Sequence, residues 1–226
     1  MPRYFGGFPY ANVISLKISE TVIVLSGRAF CKAVEYGIKQ KVDVITMSMA
    51  GSPSKRMLRV INKAYEAGIV IVSAGGNSWT KFPKNLLPKS HMFPAKFNRG
   101  VAVGVTYDNM PYLVKTPVKR AAGGKYMQSC YGPREAMKTA VAAYTPNISW
   151  MDSEKGKMYK RTGGGTSSAT PQIAAAAALF LHKNRVEIRK HIKAGEEWKK
   201  IELVKQALFE TAEKILDTID FMEMES

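Results

Sequence analysis

The sequence lacks the features of a membrane-spanning or disulfide-rich protein. No stretch approaches the roughly 20 apolar residues that cross a bilayer, and the apolar run at residues 173–181 is mostly alanine. No basic stretch followed by an apolar one stands at the start, so we expect no signal peptide. The two cysteines, Cys31 and Cys130, cannot form a disulfide framework and have no metal-ligand spacing. We expect reduced thiols, no membrane span, no metal and no other cofactor.

Acidic residues are also scarce, since 18 Asp and Glu face 34 Lys and Arg, which gives a net charge of +16. Such a charge can attract nucleic acid or other anionic partners. The basic residues are scattered, however, and glutamates interrupt the mild concentration at residues 183–205. No aromatic residues are interleaved there to stack bases. We therefore favour a solvated basic surface over a nucleic-acid site.

Strand and helix patterns alternate through the first half of the sequence. We expect strands at residues 13–18, 42–47, 69–72 and 101–105, with helices at 28–40 and around 57–65. This order predicts an α/β fold with a doubly wound, mostly parallel sheet and helices on both faces. Ligands of such sheets bind outside the carboxyl ends of the strands. Chemistry is therefore expected just after Met47 and just after Val72.

The rest of the sequence favours one domain over residues 1–226. A helix is expected from Ser167 to Lys183, and the segment 184–226 is expected to be helical. An apolar stripe in that segment consists of Ile201, Val204, Leu208 and Ile215. No internal repeat or linker interrupts the chain, and we expect the motif-bearing core to span about residues 11–183.

The most specific string is GTSSATP at residues 165–171. A serine at the start of a helix lies where unpaired backbone N–H groups and the positive end of the helix dipole converge. Its own N–H can help to stabilise an oxyanion, and the preceding glycines let a substrate backbone come close. Taken alone, the string is explained slightly better by a helix N-cap in a glycine-rich turn.

Two further strings follow predicted strands. Residues 73–77, SAGGN, end in Asn77, whose NH2 group is the kind of donor that an oxyanion needs. Residues 48–51, SMAG, are small enough at a strand end to let an extended peptide pair alongside. Each could be an ordinary turn, but all three lie at the predicted carboxyl edge of one sheet. Together they indicate one site.

These strings resemble motifs of the subtilisin-like peptidases, or subtilases. Residues 165–171 match the G-T-S-x-A-[ST]-P motif at every fixed position, and residues 74–77 resemble the A-x-G-N segment. The strings VDVITMSM at 42–49 and FPAKF followed by VAVG at 93–104 resemble further family segments, and residues 204–212 resemble its terminal helix. The resemblance runs from about residue 11 to about residue 215. It implies the subtilisin-like fold and a serine endopeptidase that acts on peptide or protein substrates.

The resemblance also implies roles for individual residues. Ser167 matches the nucleophile, and Asn77 matches the side-chain donor of the oxyanion hole. The residues that it implies for substrate binding are Ser48, Met49, Ala50, Ala74, Gly75, Gly76, Gly165 and Thr166.

The family's triad Asp and His have no match in this sequence, which contains neither D-[ST]-G nor H-G-T-H. His182 would lie roughly 22 Å from Ser167 along one helix, and His191 lies further along. His91 falls in a proline-rich loop, and about 16 Å of strand separates Asp43 from the expected site. We expect the N-terminal part of the domain to be missing and the chain to have negligible activity alone. The Asp and the His are then expected either on a separate N-terminal polypeptide or in the other part of a wrongly split reading frame.

Two other functions are also compatible with the sequence. A non-catalytic relative would bind a peptide or a partner through residues 48–51. A nucleic-acid-binding protein is suggested by the net charge alone. Most subtilases are exported, but we expect no signal peptide from this sequence, so its compartment is left open.

Overall fold

The structure is a computed structural model. It describes residues 7–21, 23–24, 26–79, 92–106, 127–130, 140–145, 148–150, 160–163 and 165–212. The strands are β1 (Ile23–Val24), β2 (Val44–Met47), β3 (Ala50–Gly51), β4 (Val70–Ala74), β5 (Asn77–Trp79), β6 (Val101–Thr106), β7 (Met127–Ser129), β8 (Ala140–Tyr144), β9 (Ile148–Trp150) and β10 (Lys160–Gly163). The helices are α1 (Gly27–Lys39), α2 (Lys55–Glu66), α3 (Thr166–Lys183), α4 (Arg185–His191) and α5 (Lys199–Thr211).

The main sheet has four parallel strands in the order β2-β4-β6-β8. Among these four strands, each lies beside the one that comes before it in the sequence, as expected when helices or long connections join parallel strands. Three smaller pairs of strands lie outside this sheet. β1 pairs with β3 in parallel, while β5 pairs with β7 and β9 with β10 in antiparallel fashion. All four main strands therefore direct their carboxyl ends to one edge, which we call the carboxyl edge.

The sheet is covered by helices on both faces. Val70 and Val72 of β4 pack with β6, β8, α3 and α5, whereas Ile71 packs with α1 and α2. This alternation follows from the two-residue period of a strand, and it explains why β4 is buried along its whole length. The predicted fold class, an α/β parallel sheet with helices on both faces, is confirmed.

Short polar residues fix the starts of the first two helices. The Ser26 side chain accepts a hydrogen bond from the Ala29 N–H, and the Ser54 side chain accepts one from the Met57 N–H. α3 begins differently, because its N-cap is Gly165, whose φ is 69°. That left-handed conformation favours glycine, so the glycine before Thr166 sets the direction in which α3 leaves the carboxyl edge.

The predicted strand at residues 13–18 is wrong. The backbone there has no regular secondary structure, and Val13 is 85% exposed. Alternating apolar residues form a strand only where another strand is available for pairing, and within the described residues none pairs with this segment. Conversely, β8 was missed because alanine has a low strand propensity. The other predicted strands and helices of the first half are confirmed.

The C-terminal segment contributes to the same core as the motif-bearing part. Ile201 and Val204 of α5 are fully buried against the face of the sheet that α3 covers. Ile215, the last residue of the predicted stripe, lies outside the described residues, as does everything after residue 212. The extent of the domain over residues 1–226 stays a prediction. Within the described helices, none is both long and apolar enough to cross a membrane.

Candidate active site

Asn77 and the start of α3 meet at the carboxyl edge. Asn77 is the first residue of β5, just beyond the end of β4. Its Oδ1 atom accepts two hydrogen bonds from Thr166, one from the backbone N–H and one from the hydroxyl, each 2.9 Å long. Thr166 is 1% exposed. Because Oδ1 is held on the Thr166 side, the amide NH2 is directed away from it, and the described residues offer that NH2 no acceptor.

Ser167 is the second residue of α3 and faces the end of β2. Its hydroxyl donates to the backbone carbonyl of Ser48 at 3.4 Å, and the Ser48 hydroxyl donates to the Ser167 carbonyl at 2.8 Å. Both serines are half-buried. The longer bond is weak, so the Ser167 hydroxyl can rotate towards a ligand at little cost.

Buried backbone hydrogen bonds fix the loop between β4 and β5. Ala74 is 4% exposed, and Gly75 and Gly76 are also buried. The Gly75 N–H donates to the Val103 carbonyl, and the Gly76 carbonyl accepts from the Cys130 N–H, each at 2.9 Å. These bonds fix the approach of the chain to Asn77. The predicted contact of these three residues with substrate stays a prediction.

Position 76 requires glycine because of its backbone conformation and because of the atoms packed around it. Its φ is 105°, and a Cβ atom added there would lie 2.8 Å from Met92 Cγ and 3.2 Å from Cys130 Sγ. Burial raises the pKa of the Cys130 thiol to about 11. The wall behind Asn77 is therefore apolar and tightly packed.

The segment that was predicted to accept a peptide strand is already paired within the chain. Met49 and Ala50 are half-buried. β3 pairs in parallel with β1 in the register Ile23↔Ala50 and Val24↔Gly51. On its other side, the Gly51 N–H donates to the Phe93 carbonyl at 3.0 Å. An extended peptide therefore has to displace β1 or the Phe93 segment before it can pair with β3.

None of the titratable groups considered as a base lies beside Ser167 in the described residues. The Asp43 carboxylate binds Arg185 at 2.6 Å and lies 3.7 Å from Lys200 Nζ. The His182 ring contacts the Phe8 ring at 5.4 Å between centroids, and His191 contacts Glu187. His91 lies outside the described residues. In the same described part, no group of three or more His, Cys, Asp or Glu side chains could hold a metal ion.

One residue of the site region was missed by sequence reasoning. The Gln172 side chain donates to the Ser168 carbonyl at 2.9 Å and to the Tyr144 carbonyl at 3.0 Å. It thereby ties the first turns of α3 to the end of β8. No sequence signal pointed to it, because β8 itself was missed.

Several curated proteins are similar in sequence. Subtilisin DY of Bacillus licheniformis is 30% identical over 179 residues, which cover 79% of this chain and 57% of that protein. Subtilisin BL of Lederbergia lenta is 27% identical over 197 residues, which cover 83% of this chain and 61% of that protein. The chain thus spans roughly three fifths of these relatives.

Solved structures are similar in fold. The prenylagaramide maturation protease PagA superposes with a TM-score of 0.64 at 21% identity, over 91% of this chain and 65% of that one. The PatG macrocyclase in complex with peptide superposes with a TM-score of 0.60 at 18% identity, over 90% of this chain and 51% of that one. At such identities the similarity establishes the fold. The family model described as the Subtilase family matches residues 2–222, and the chain therefore belongs to the subtilase family.

Proposed function

We propose that this chain is the nucleophile-bearing part of a serine endopeptidase, with Ser167 as the nucleophile and Asn77 as the side-chain donor of its oxyanion hole. One observation carries the proposal. Thr166 donates two hydrogen bonds to Asn77 Oδ1, which hold the Asn77 amide against the residue that precedes Ser167 and leave its NH2 group for another acceptor. A fixed amide donor next to a helix-start hydroxyl suits a tetrahedral oxyanion.

The reaction would be acyl transfer. Ser167 Oγ attacks the carbonyl carbon of a peptide bond while a base takes the hydroxyl proton, and the carbonyl oxygen becomes negatively charged. The Asn77 NH2 and the Ser167 backbone N–H bind that oxygen. The proton then passes to the leaving amine as the carbon–nitrogen bond breaks. Water releases the acyl group from Ser167 in a second, equivalent cycle.

The base is proposed to come from a separate polypeptide that carries the family's Asp and His. Asp43, His182 and His191 are engaged elsewhere in the structure. Without a base, a serine hydroxyl is a poor nucleophile at neutral pH. Within the described residues, β2 has a strand on one side only, and a parallel strand that paired with its other side would end beside Ser48, which contacts Ser167.

An added small base tests the site without that polypeptide. The isolated chain is mixed with a short peptide p-nitrophenyl ester, with and without imidazole, and acylation is located by mass spectrometry. We expect slow acylation of Ser167 that rises with imidazole concentration and is lost in Ser167→Ala. Ser168→Ala, which removes the neighbouring hydroxyl, should leave it in place. Equal reaction in Ser167→Ala, or no response to imidazole in the parent chain, would contradict the proposal.

A second candidate is a peptide-binding relative without catalysis. It is favoured by the contacts of Asp43, His182 and His191, which engage these three groups away from Ser167. The two candidates differ in one measurement. A non-catalytic relative would bind the peptide moiety of the ester but show no imidazole-dependent acylation.

A further inference from the structure

Pro171 removes one backbone hydrogen bond from the first turns of α3. In an α-helix the carbonyl of each residue accepts a hydrogen bond from the N–H four residues later. The residue four positions after Ser167 is Pro171, which lies inside the helix. Proline has no N–H, and its ring crowds the carbonyl of the residue four positions before it. The carbonyl of Ser167 therefore cannot accept the usual helical bond from the N–H four residues later.

The hydroxyl of Ser48 takes the place of the missing N–H. It donates to the Ser167 carbonyl at 2.8 Å, a short and well-formed bond. The neighbouring carbonyls also accept side-chain donors, from Thr170 Oγ1 to Thr166 at 2.7 Å and from Gln172 Nε2 to Ser168 at 2.9 Å. Those donors belong to α3 itself. In contrast, Ser48 follows β2 and is 119 positions from Ser167 along the chain.

Two peptide groups near Ser167 are thus anchored from different sides. Asn77 accepts from the Thr166 N–H, in the peptide group that joins Gly165 to Thr166, and Ser48 donates to the Ser167 carbonyl, in the peptide group that follows the Ser167 Cα. The orientation of the peptide planes on either side of Cα sets where the Cβ–Oγ bond points. Because reacting groups must lie within a narrow geometric range, the Ser48 bond affects the reactivity of Ser167 without touching the reacting atoms.

We infer that Ser48 is a positioning residue that compensates for Pro171 and holds the Ser167 backbone in its reactive orientation. This adds to the substrate-contacting role expected for Ser48, and the part that concerns reactivity rests on the proposed function. If this is correct, loss of the Ser48 hydroxyl should disturb the Ser167 carbonyl and the reactivity of Ser167 only while residue 171 is proline.

A double-mutant cycle tests this dependence. The chains compared are the parent, Ser48→Ala, Pro171→Ala and the double variant, with the Ser167 carbonyl observed by carbon-13 NMR. Ser48→Ala should shift that resonance upfield by removing its donor. Pro171→Ala supplies an N–H four residues on, so the further change Ser48→Ala should have little effect in that background. Ser48→Thr, which keeps a hydroxyl, should retain the parent shift.

The same four chains are compared in imidazole-dependent acylation. We expect Ser48→Ala to lower the maximal rate by about 10- to 100-fold at an unchanged ester KM, and to lower it much less when Pro171→Ala is present. Thr46→Val, which removes an exposed hydroxyl two residues before Ser48, is the matched control and should leave the rate unchanged.

The outcomes separate the two proposals. An equal effect of Ser48→Ala in both backgrounds, or an unmoved Ser167 carbonyl resonance, overturns the positioning role. Absence of imidazole-dependent acylation in the parent chain overturns the proposed function, while the NMR cycle still reports on the hydrogen bond itself.

Discussion

The side chain of Asn77 is oriented by Thr166, which donates both its N–H and its hydroxyl to the same amide oxygen at 2.9 Å. A carboxamide can direct either its oxygen or its NH2 group towards a neighbour. The two Thr166 donors favour the orientation in which the oxygen faces Thr166 and the NH2 is available to another group. The orientation of the proposed oxyanion donor is therefore a property of the start of α3 as much as of the loop that carries Asn77.

Replacing the amide by a carboxylate tests the donor. Asn77→Asp keeps two oxygen atoms that can accept from Thr166 but removes the NH2 group. We expect imidazole-dependent acylation of Ser167 to fall by roughly 100- to 1,000-fold, while the variant stays folded. Circular dichroism reports folding, and the ester assay gives the rate. An unchanged rate in folded Asn77→Asp would exclude Asn77 from the oxyanion hole.

Removing the orienting hydroxyl should cost stability as well. Thr166→Val leaves Asn77 Oδ1 with one donor in place of two, at a site where Thr166 is 1% exposed. We expect a loss of about 1–2 kcal/mol in the free energy of unfolding, measured by urea denaturation. Thr46→Val is the matched control, since Thr46 is exposed on β2, and it should change stability by no more than about 0.5 kcal/mol.

A buried hydroxyl near the site lacks a partner in the described structure. Ser73 is 2% exposed, and its Oγ atom makes no hydrogen bond there. An unsatisfied buried polar group destabilises a protein. We expect Ser73→Ala to raise the free energy of unfolding by about 1 kcal/mol. A destabilised Ser73→Ala variant would mean that the hydroxyl has a partner in the folded protein.

The thiol of Cys130 should make stability fall at alkaline pH. Burial raises its pKa from 9.0 to about 11, so above pH 9 the unfolded chain releases a proton that the folded chain keeps. The stabilisation is complete below the unfolded pKa and is lost as pH rises through 9 to 11, by up to about 3 kcal/mol.

The difference between the parent and Cys130→Ala isolates this titration from the tyrosines and lysines. Urea denaturation at several pH values should give a steeper decline for the parent between pH 9 and 11. Parallel curves would contradict the expectation. Cys31 is 0% exposed and burial also raises its pKa, so both thiols should react with an alkylating reagent only after unfolding.

The β1–β3 pairing should oppose peptide binding. Replacing Ile23 and Val24 by proline removes both backbone N–H donors of β1, and β3 then gains an open edge. We expect tighter binding of a fluorescent extended peptide, measured by fluorescence anisotropy. Val13→Pro, in a segment without regular secondary structure, is the matched control. Equal affinity in the β1 variant and the control would show that β1 does not compete with the peptide.

Local sequence determined the elements of the central sheet. Apolar runs such as residues 69–72 predict strands buried on both faces, and the capped helices between them follow from apolar spacing. The parallel order of these elements also predicted that residues following Met47 and Val72 would share one edge. These elements and their order could be predicted because they depend on the spacing of apolar residues along the chain and on the general rules by which parallel strands are connected.

Tertiary structure decided the contacts on which the chemistry depends. Asn77 and Thr166 are 89 positions apart, and Ser48 and Ser167 are 119 apart. Tertiary structure also decided that the alanine-rich β8 has a strand partner, whereas residues 13–18 have none in the part of the chain that the structure describes. Hydrogen-bond pairing and side-chain orientation depend on which groups the whole chain brings within about 3 Å of each other. No local pattern in the sequence encodes that distance.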